Sequence, residues 1–239
     1  MRLTDFKILT FDVYGTLIDW ESGIVNALSG LTDQVSGDIS RDEILEAHAY
    51  FESSAQHWTP AKSYSDLLAT VYRRLAEHWQ VSVSWEDCIT YGQSVGNWPA
   101  FPDSSTSLQY LKKHFLLAVL TNTDNKNFSG SQAQLGVTFD GIYTAEDIGS
   151  YKPADRNFEF LIETLAHRAI RKTQILHVAE SMFHDHGPAN RHDIANCWIY
   201  RRHDQSGFGA TMNPGDMPRV DFTFNSLSDL VAAHQKEIG

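Results

Sequence analysis

Short apolar runs that end on polar, reactive residues constrain this chain more than any other feature. Ile8–Phe11, Leu116–Leu120, Ile142–Thr144, Ile175–Ala179, Trp198–Tyr200 and Phe222–Phe224 read as buried strands bounded by turn residues. Helical patterns lie between most of them. Phe158, Leu161, Ile162 and Leu165 form one apolar stripe. Ser226, with Asp229 three residues on, reads as the cap of a last helix through Leu227, Leu230 and Val231. This alternation predicts an α/β fold: a Rossmann-like parallel sheet covered by helices on both faces.

The stretch from Trp20 to Trp98 breaks the pattern, because it contains no strand-like run. Ser40 and Glu43 make a capping-box pattern ahead of Ile44, Ala47, Phe51 and Ala55, and Leu68, Val71, Tyr72, Leu75 and Trp79 suggest a second helix. The expected organisation is therefore a core domain over residues 1–18 and 99–239, interrupted by an all-helical cap domain over 19–98. Trp58, Trp79, Trp85 and Trp98 are expected to pack within core or cap, whereas Trp20, eight residues past Asp12, is a candidate pocket wall. An apolar face of the cap could support a homodimer.

Composition removes several function classes. Nineteen Lys and Arg against 30 Asp and Glu give a formal charge of −11, with no basic cluster, which argues against nucleic acid or an anionic membrane as partner. A small anionic substrate stays open, since one local site can be positive within an acidic protein. Cys88 and Cys197 form no CxxC or metal-type spacing, and no run approaches the ~18 apolar residues of a membrane span. A reduced, cytoplasmic enzyme is the expectation.

In open α/β sheets, ligands bind beyond the carboxyl ends of the strands. Here those ends carry Asp12, then Thr121 and Asn122, then Lys152 one loop after the third strand, then Ser181 to His186. Each has a plain structural alternative. Asp12 is a nucleophile held by the Val13-Tyr14-Gly15 turn or only a strand-ending cap. Thr16 binds substrate or its own turn, and Lys152 neutralises Asp12 and anchors an anion or is simply solvated. Thr121 and Asn122 offer donors to a carboxylate or begin a helix. His184 and His186 flank Asp185 at i, i+2, which matches neither common zinc spacing; acid–base work or water orientation suits them better than a metal, and surface-loop residues are the alternative.

The ordered motifs FDVYGT, LTN, SYKP and the polar loop after ILHVA resemble the haloacid dehalogenase superfamily, and Tyr14 resembles its (S)-2-haloacid dehalogenase branch. The resemblance covers nearly the whole chain. Phosphatases of the superfamily usually carry a second Asp where Tyr14 stands, so the resemblance implies neither phosphoryl transfer nor a metal or other cofactor. It implies that Asp12 attacks the carbon beside the carboxylate of a small acid, with inversion, to form an aspartyl ester. Thr16, Thr121, Asn122 and Lys152 match positions that hold the nucleophile and the carboxylate. A residue of the Ser181–Asp185 loop then positions the hydrolytic water: Asp185 first, or His184, because the loop departs from the family's Ser-x-Asn-x-x-Asp spacing.

Two departures bear on the substrate. The arginine of the first cap helix that grips halide in the dehalogenases is missing from ILEAHAYFE, and Arg41 stands about two turns too early. The tyrosine that often follows the lysine motif is replaced by Phe158. These departures, with FDVYGTLIDWESG and HVAESMFHDHGPANR, resemble the azetidine-2-carboxylate hydrolases of the same branch, which open a strained ring at the same α-carbon. Their substrate's ring nitrogen is cationic, so an arginine would repel it and an acidic, aromatic pocket would accept it. L-Azetidine-2-carboxylate is thus the preferred expectation and (S)-2-haloacids the alternative; a magnesium-dependent phosphatase or a non-catalytic binding protein fits less well.

Overall fold

The computed structural model describes all 239 residues. Its centre is one six-stranded, wholly parallel sheet of β1 (Ile8–Phe11), β2 (Leu116–Thr121), β3 (Gly141–Thr144), β4 (Ile175–Ala179), β5 (Ala195–Ile199) and β6 (Phe222–Phe224). The spatial order is β3-β2-β1-β4-β5-β6. Because β1 lies between β2 and β4, the chain reverses its winding direction beside β1, which opens a crevice beyond that strand's carboxyl end.

Strand composition explains the layering. Ile8 and Ile175 pack on one face with Phe158, Leu161 and Leu165, whereas Leu9, Phe11, Leu176 and Val178 join the large cluster on the other. Both faces are apolar because both are covered by helices, as the uninterrupted apolar runs require.

Four helices and no strand lie between β1 and the return to the sheet: α1 (Trp20–Thr32), α2 (Arg41–Trp58), α3 (Tyr64–His78) and α4 (Trp85–Gly92). The chain leaves at Ile18 and returns at Ala100, and these two residues pair antiparallel. The Asp19 side chain accepts from Ser22 N and caps α1, while Ser40 and Glu43 form the reciprocal capping box of α2. The remaining helices are α5 (Ser104–Leu111), α6 (Asn125–Leu135), α7 (Ala145–Ile148), α8 (Asp155–His167), α9 (Gly187–Arg191) and α10 (Leu227–Ile238), the last capped by Ser226.

Four expectations need correction. The fifth strand covers Ala195–Ile199 rather than Trp198–Tyr200, because Asn196 interrupts the apolar run yet sits fully buried. Helices α1 and α4 add to the two foreseen. In α2 the buried face carries Ile44, Leu45, His48, Ala49, Glu52 and Gln56, while Ala47, Phe51 and Ala55 are only partly buried. That helix presents a polar face to the interior, which an apolar-stripe reading cannot find. Trp58 and Trp85, at helix ends, are 77% and 56% exposed, unlike the buried Trp98.

Close packing of α3 on α4 depends on Gly92, where a Cβ would run into the Ser65 carbonyl oxygen. Gly92→Ala should lower stability by about 2 kcal/mol through overpacking, read as a lower urea midpoint at unchanged slope.

Candidate active site

The turn after β1 aims the first carboxylate. Val13 O accepts from Leu17 N at 2.7 Å and from Ile18 N at 2.9 Å, which folds Val13–Ile18 tightly back on itself. Gly15 takes φ of +95°, and a Cβ there would lie 2.9 Å from Trp20 Nε1, so glycine meets both a backbone and a packing requirement. Asp12 is thereby held at the crevice, 6% exposed. Thr16 Oγ1 donates to Asp12 Oδ2 at 2.7 Å and accepts from Glu180 N at 2.9 Å, tying the end of β1 to that of β4.

Lys152 is 1% exposed and reaches the same point from the loop after α7. Its Nζ lies 2.9 Å from Asp12 Oδ1, 2.6 Å from Asp185 Oδ1 and 2.9 Å from the Leu120 carbonyl. All three ammonium protons therefore have acceptors. Asn122 fixes the lysine's backbone from both sides, donating to Lys152 O at 2.9 Å and accepting from Lys152 N at 2.7 Å.

Two carboxylates thus share one ammonium, and their environments separate them. Burial pushes Asp12 up, opposed by Lys152. Burial acts on Asp185 in the same sense, but Lys152 and His177 outweigh it and hold Asp185 well below the usual carboxylate range. Burial disfavours the charge on Lys152, yet the two acids raise its pKa overall. Asp185 is the firmly ionised partner, and Asp12 is the one whose pKa burial raises.

The loop after β4 forms a single π-helical turn, Met182–His186. Ser181 Oγ accepts from His184 N at 3.0 Å, lies 3.1 Å from His184 Nδ1 and meets Thr211 Oγ1 at 2.9 Å. Burial lowers His184 to about 4, so its imidazole is neutral at pH 7, and its Nε2 is buried without a partner. His186 is no surface residue either: it is fully buried and bonds Ala179 O and Asn196.

These elements line a small, partly open cavity. Asp12, Lys152, Asp185 and His184 line it, together with Tyr14, Trp20, Asn122 and Ser181. Thr16 stands behind Asp12. Thr121 is buried outside the lining, with its hydroxyl unpartnered. Tyr14 also bonds Ser131 at 2.8 Å and packs edge-on against Trp98.

Two lining residues escape sequence reasoning: Glu52 of α2 and Tyr64 of α3. Glu52 Oε1 accepts from Tyr64 OH at 2.8 Å and from Gln56 Nε2 at 2.9 Å. His48 Nδ1 comes within 3.4 Å of Oε2, but no hydrogen bond forms. Burial lowers His48 to about 3 and raises Glu52 to about 7, so the two do not make an ion pair near neutral pH. The available signal was an acid four residues from both His48 and Gln56, one face of a helix. No guanidinium lines the cavity; Arg41 sits at the start of α2 near Glu21.

The Lys152 ammonium occupies the space between the two carboxylates where a cation would go, and no group of three or more His, Cys, Asp and Glu is placed to hold a metal ion. Cys88 and Cys197 are buried free thiols, and no helix is long and apolar enough to cross a membrane.

A family profile for haloacid dehalogenase-like hydrolases matches residues 6–179. The chain belongs to that family and is a hydrolase. (S)-2-haloacid dehalogenase 4A of Burkholderia cepacia is 22% identical, over 94% of this chain and 93% of its own length. (S)-2-haloacid dehalogenase H-109 of Pseudomonas putida is 23% identical, over 81% of this chain and 85% of its own. The L-2-haloacid dehalogenase of Xanthobacter autotrophicus, solved with chloropropionic acid covalently bound, superposes with a TM-score of 0.77 at 16% identity, covering 96% of this chain and 98% of that one.

Glu180 borders the site and provides a pH test. Burial, with Glu21 and Asp12 nearby, raises its carboxyl to about 8, against an ordinary 4.5. The folded state keeps a proton that the unfolded chain releases, so this stabilisation is complete below pH 4.5 and is lost as pH rises through 8. Glu180→Gln should therefore gain on wild type by several °C in melting temperature between pH 5 and pH 8.5, measured by thermal unfolding at both.

Proposed function

We propose that this hydrolase acts on a small 2-substituted carboxylic acid through an ester on Asp12, with (S)-2-haloacids as the first substrate class. The carrying observation is a buried carboxylate with both oxygens held, Oδ1 by Lys152 and Oδ2 by Thr16, on the wall of a small cavity shared with Lys152 and Asp185. Full-length similarity to proteins named (S)-2-haloacid dehalogenases supports the halide reading. In our reading residues 19–98 form a cap that closes the cavity over a core of 1–18 and 99–239.

An oxygen of Asp12 bonds to the substrate α-carbon as the carbon–halogen bond breaks, and halide leaves with the electron pair, inverting the carbon. Asn122 and Ser181 are the polar groups available to the substrate carboxylate, with Thr121 behind them. Water then bonds to Cγ of Asp12; the ester's Cγ–O bond breaks, releasing a 2-hydroxy acid and restoring the carboxylate. Asp185 orients that water, with the neutral His184 as the second acceptor.

A second reading, ring opening of L-azetidine-2-carboxylate, is favoured by one observation: the cavity wall opposite the core carries the Glu52 carboxyl and lacks an arginine. An ionised Glu52 would pair with the ring ammonium, whereas it would repel departing halide. The ring nitrogen, already protonated, would leave as a neutral amine when its bond to the α-carbon breaks.

The two separate by assay. Chloride release from (S)-2-chloropropionate that resists chelator supports the first reading, and 4-amino-2-hydroxybutyrate from the ring substrate supports the second. Phosphate release from a generic ester, abolished by chelator, overturns both. Asp12→Asn should lower turnover by about 10³-fold or more, and substantial residual turnover sinks the nucleophile assignment. On the second reading kcat/KM for the ring substrate rises with pH through about 7, as Glu52 ionises, and Glu52→Gln removes that rise.

A further inference from the structure

Asp185 has one oxygen saturated and one bare. Oδ1 accepts from Lys152 Nζ at 2.6 Å and lies 2.9 Å from His177 Nε2, whereas Oδ2 is buried without any partner, on a side chain that lines the cavity. A carboxylate only accepts, so Nε2 of His177 is the donor to Oδ1. On the other side of the ring, Nδ1 meets Thr10 Oγ1 at 2.9 Å. Thr10 and His177 are directly opposite in the β1–β4 ladder, both fully buried, and the Phe158 ring sits edge-on to the imidazole at 5.1 Å. Both ring nitrogens are thus engaged, which fixes the ring's orientation.

We propose that His177 is a positioning residue for the second half of the reaction: it holds Oδ1 of Asp185 from within the sheet, so that Oδ2 faces the water attacking Cγ of Asp12. The inference rests on the aspartyl-ester reading but not on the leaving group. The water oxygen bonds to Cγ as its proton passes to Oδ2. The Cγ–O bond to substrate then breaks, its electron pair stays on the departing oxygen, and that oxygen takes the proton back from Asp185. Lys152 alone would leave the carboxylate free to rotate about its side-chain bonds; the second donor, fixed in a strand, removes that freedom.

The test follows the two half-reactions separately, with (S)-2-chloropropionate and L-azetidine-2-carboxylate as probes. Mixing full-length protein with excess probe and quenching at intervals gives the fraction of the Asp12 peptide that carries the adduct mass. His177→Phe, close in volume, should form adduct within about threefold of the wild-type rate but hydrolyse it about 100-fold more slowly, so that adduct accumulates. His177→Gln can place an amide N–H near the Nε2 position and should hydrolyse within about tenfold of wild type. Thr10→Val, which keeps the histidine but removes its orienting hydrogen-bond partner, should slow hydrolysis alone by about tenfold, and reads the same line of contacts if the phenylalanine variant fails to fold. Hydrolysis within twofold of wild type in both His177→Phe and Thr10→Val overturns the proposal, as does equal slowing of both half-reactions. If even Asp185→Asn traps no adduct from either probe, the ester reading itself fails and this proposal falls with it.

Discussion

A lysine ammonium sealed between two aspartates holds the crevice of this protein together. Lys152 and Asp185 are almost wholly inaccessible, and Asp12 nearly so. Taking such charges out of water costs several kcal/mol each, and the cost is offset only if every proton and lone pair is placed. The Leu120 carbonyl supplies the third acceptor for Lys152, and Thr16 satisfies the second oxygen of Asp12. The one oxygen of the three groups without a partner is Oδ2 of Asp185, a residue that lines the cavity. The charges that make the interior costly are therefore matched to one another at every position but this one.

The sheet order makes this arrangement reachable. With β1 central and β2 and β4 on either side, three consecutive strand ends deliver Asp12, Asn122 and the Ser181–Asp185 turn to one place, and the loop after α7 brings Lys152 across them. The links between these segments are short and reciprocal: Thr16 to the backbone of Glu180, Asn122 to both backbone groups of Lys152. Asp12 and Lys152 are thus held across strand ends, while Thr16 and the Ser181–His184 contacts fix their own turns.

Much of this was legible in the sequence, and the reasons are local. Apolar runs ending in Asp12, Asn122 and Ser181 signal buried strands whose polar ends must share a crevice, so those residues and Lys152 could be named from spacing alone. Glu52 and Tyr64 could not. They sit in helices whose orientation toward the crevice is a tertiary fact, and a buried acid on α2 looks like an ordinary solvated one until its neighbours are known. His177 was hidden for the opposite reason. Inside the run ILHVA it reads as one tolerated polar residue in a strand, and only its register opposite Thr10 and the fold of the next loop reveal its two partners. Asn196 hid the start of β5 in the same way. The exposed Trp58 and Trp85 show that bulk hydrophobicity predicts burial poorly at helix ends.

The walls of the cavity come from two separate stretches of chain. The sheet supplies Asp12, Asn122, Lys152 and Asp185, whereas Glu52 and Tyr64 belong to α2 and α3, which leave and rejoin the sheet through the paired residues Ile18 and Ala100. Glu52 and Tyr64 bond to each other and to Gln56, and make no hydrogen bond to the aspartates or the lysine. Substitutions at Glu52 or Tyr64 therefore reshape and recharge this wall of the cavity without removing a hydrogen bond from Asp12, Lys152 or Asp185.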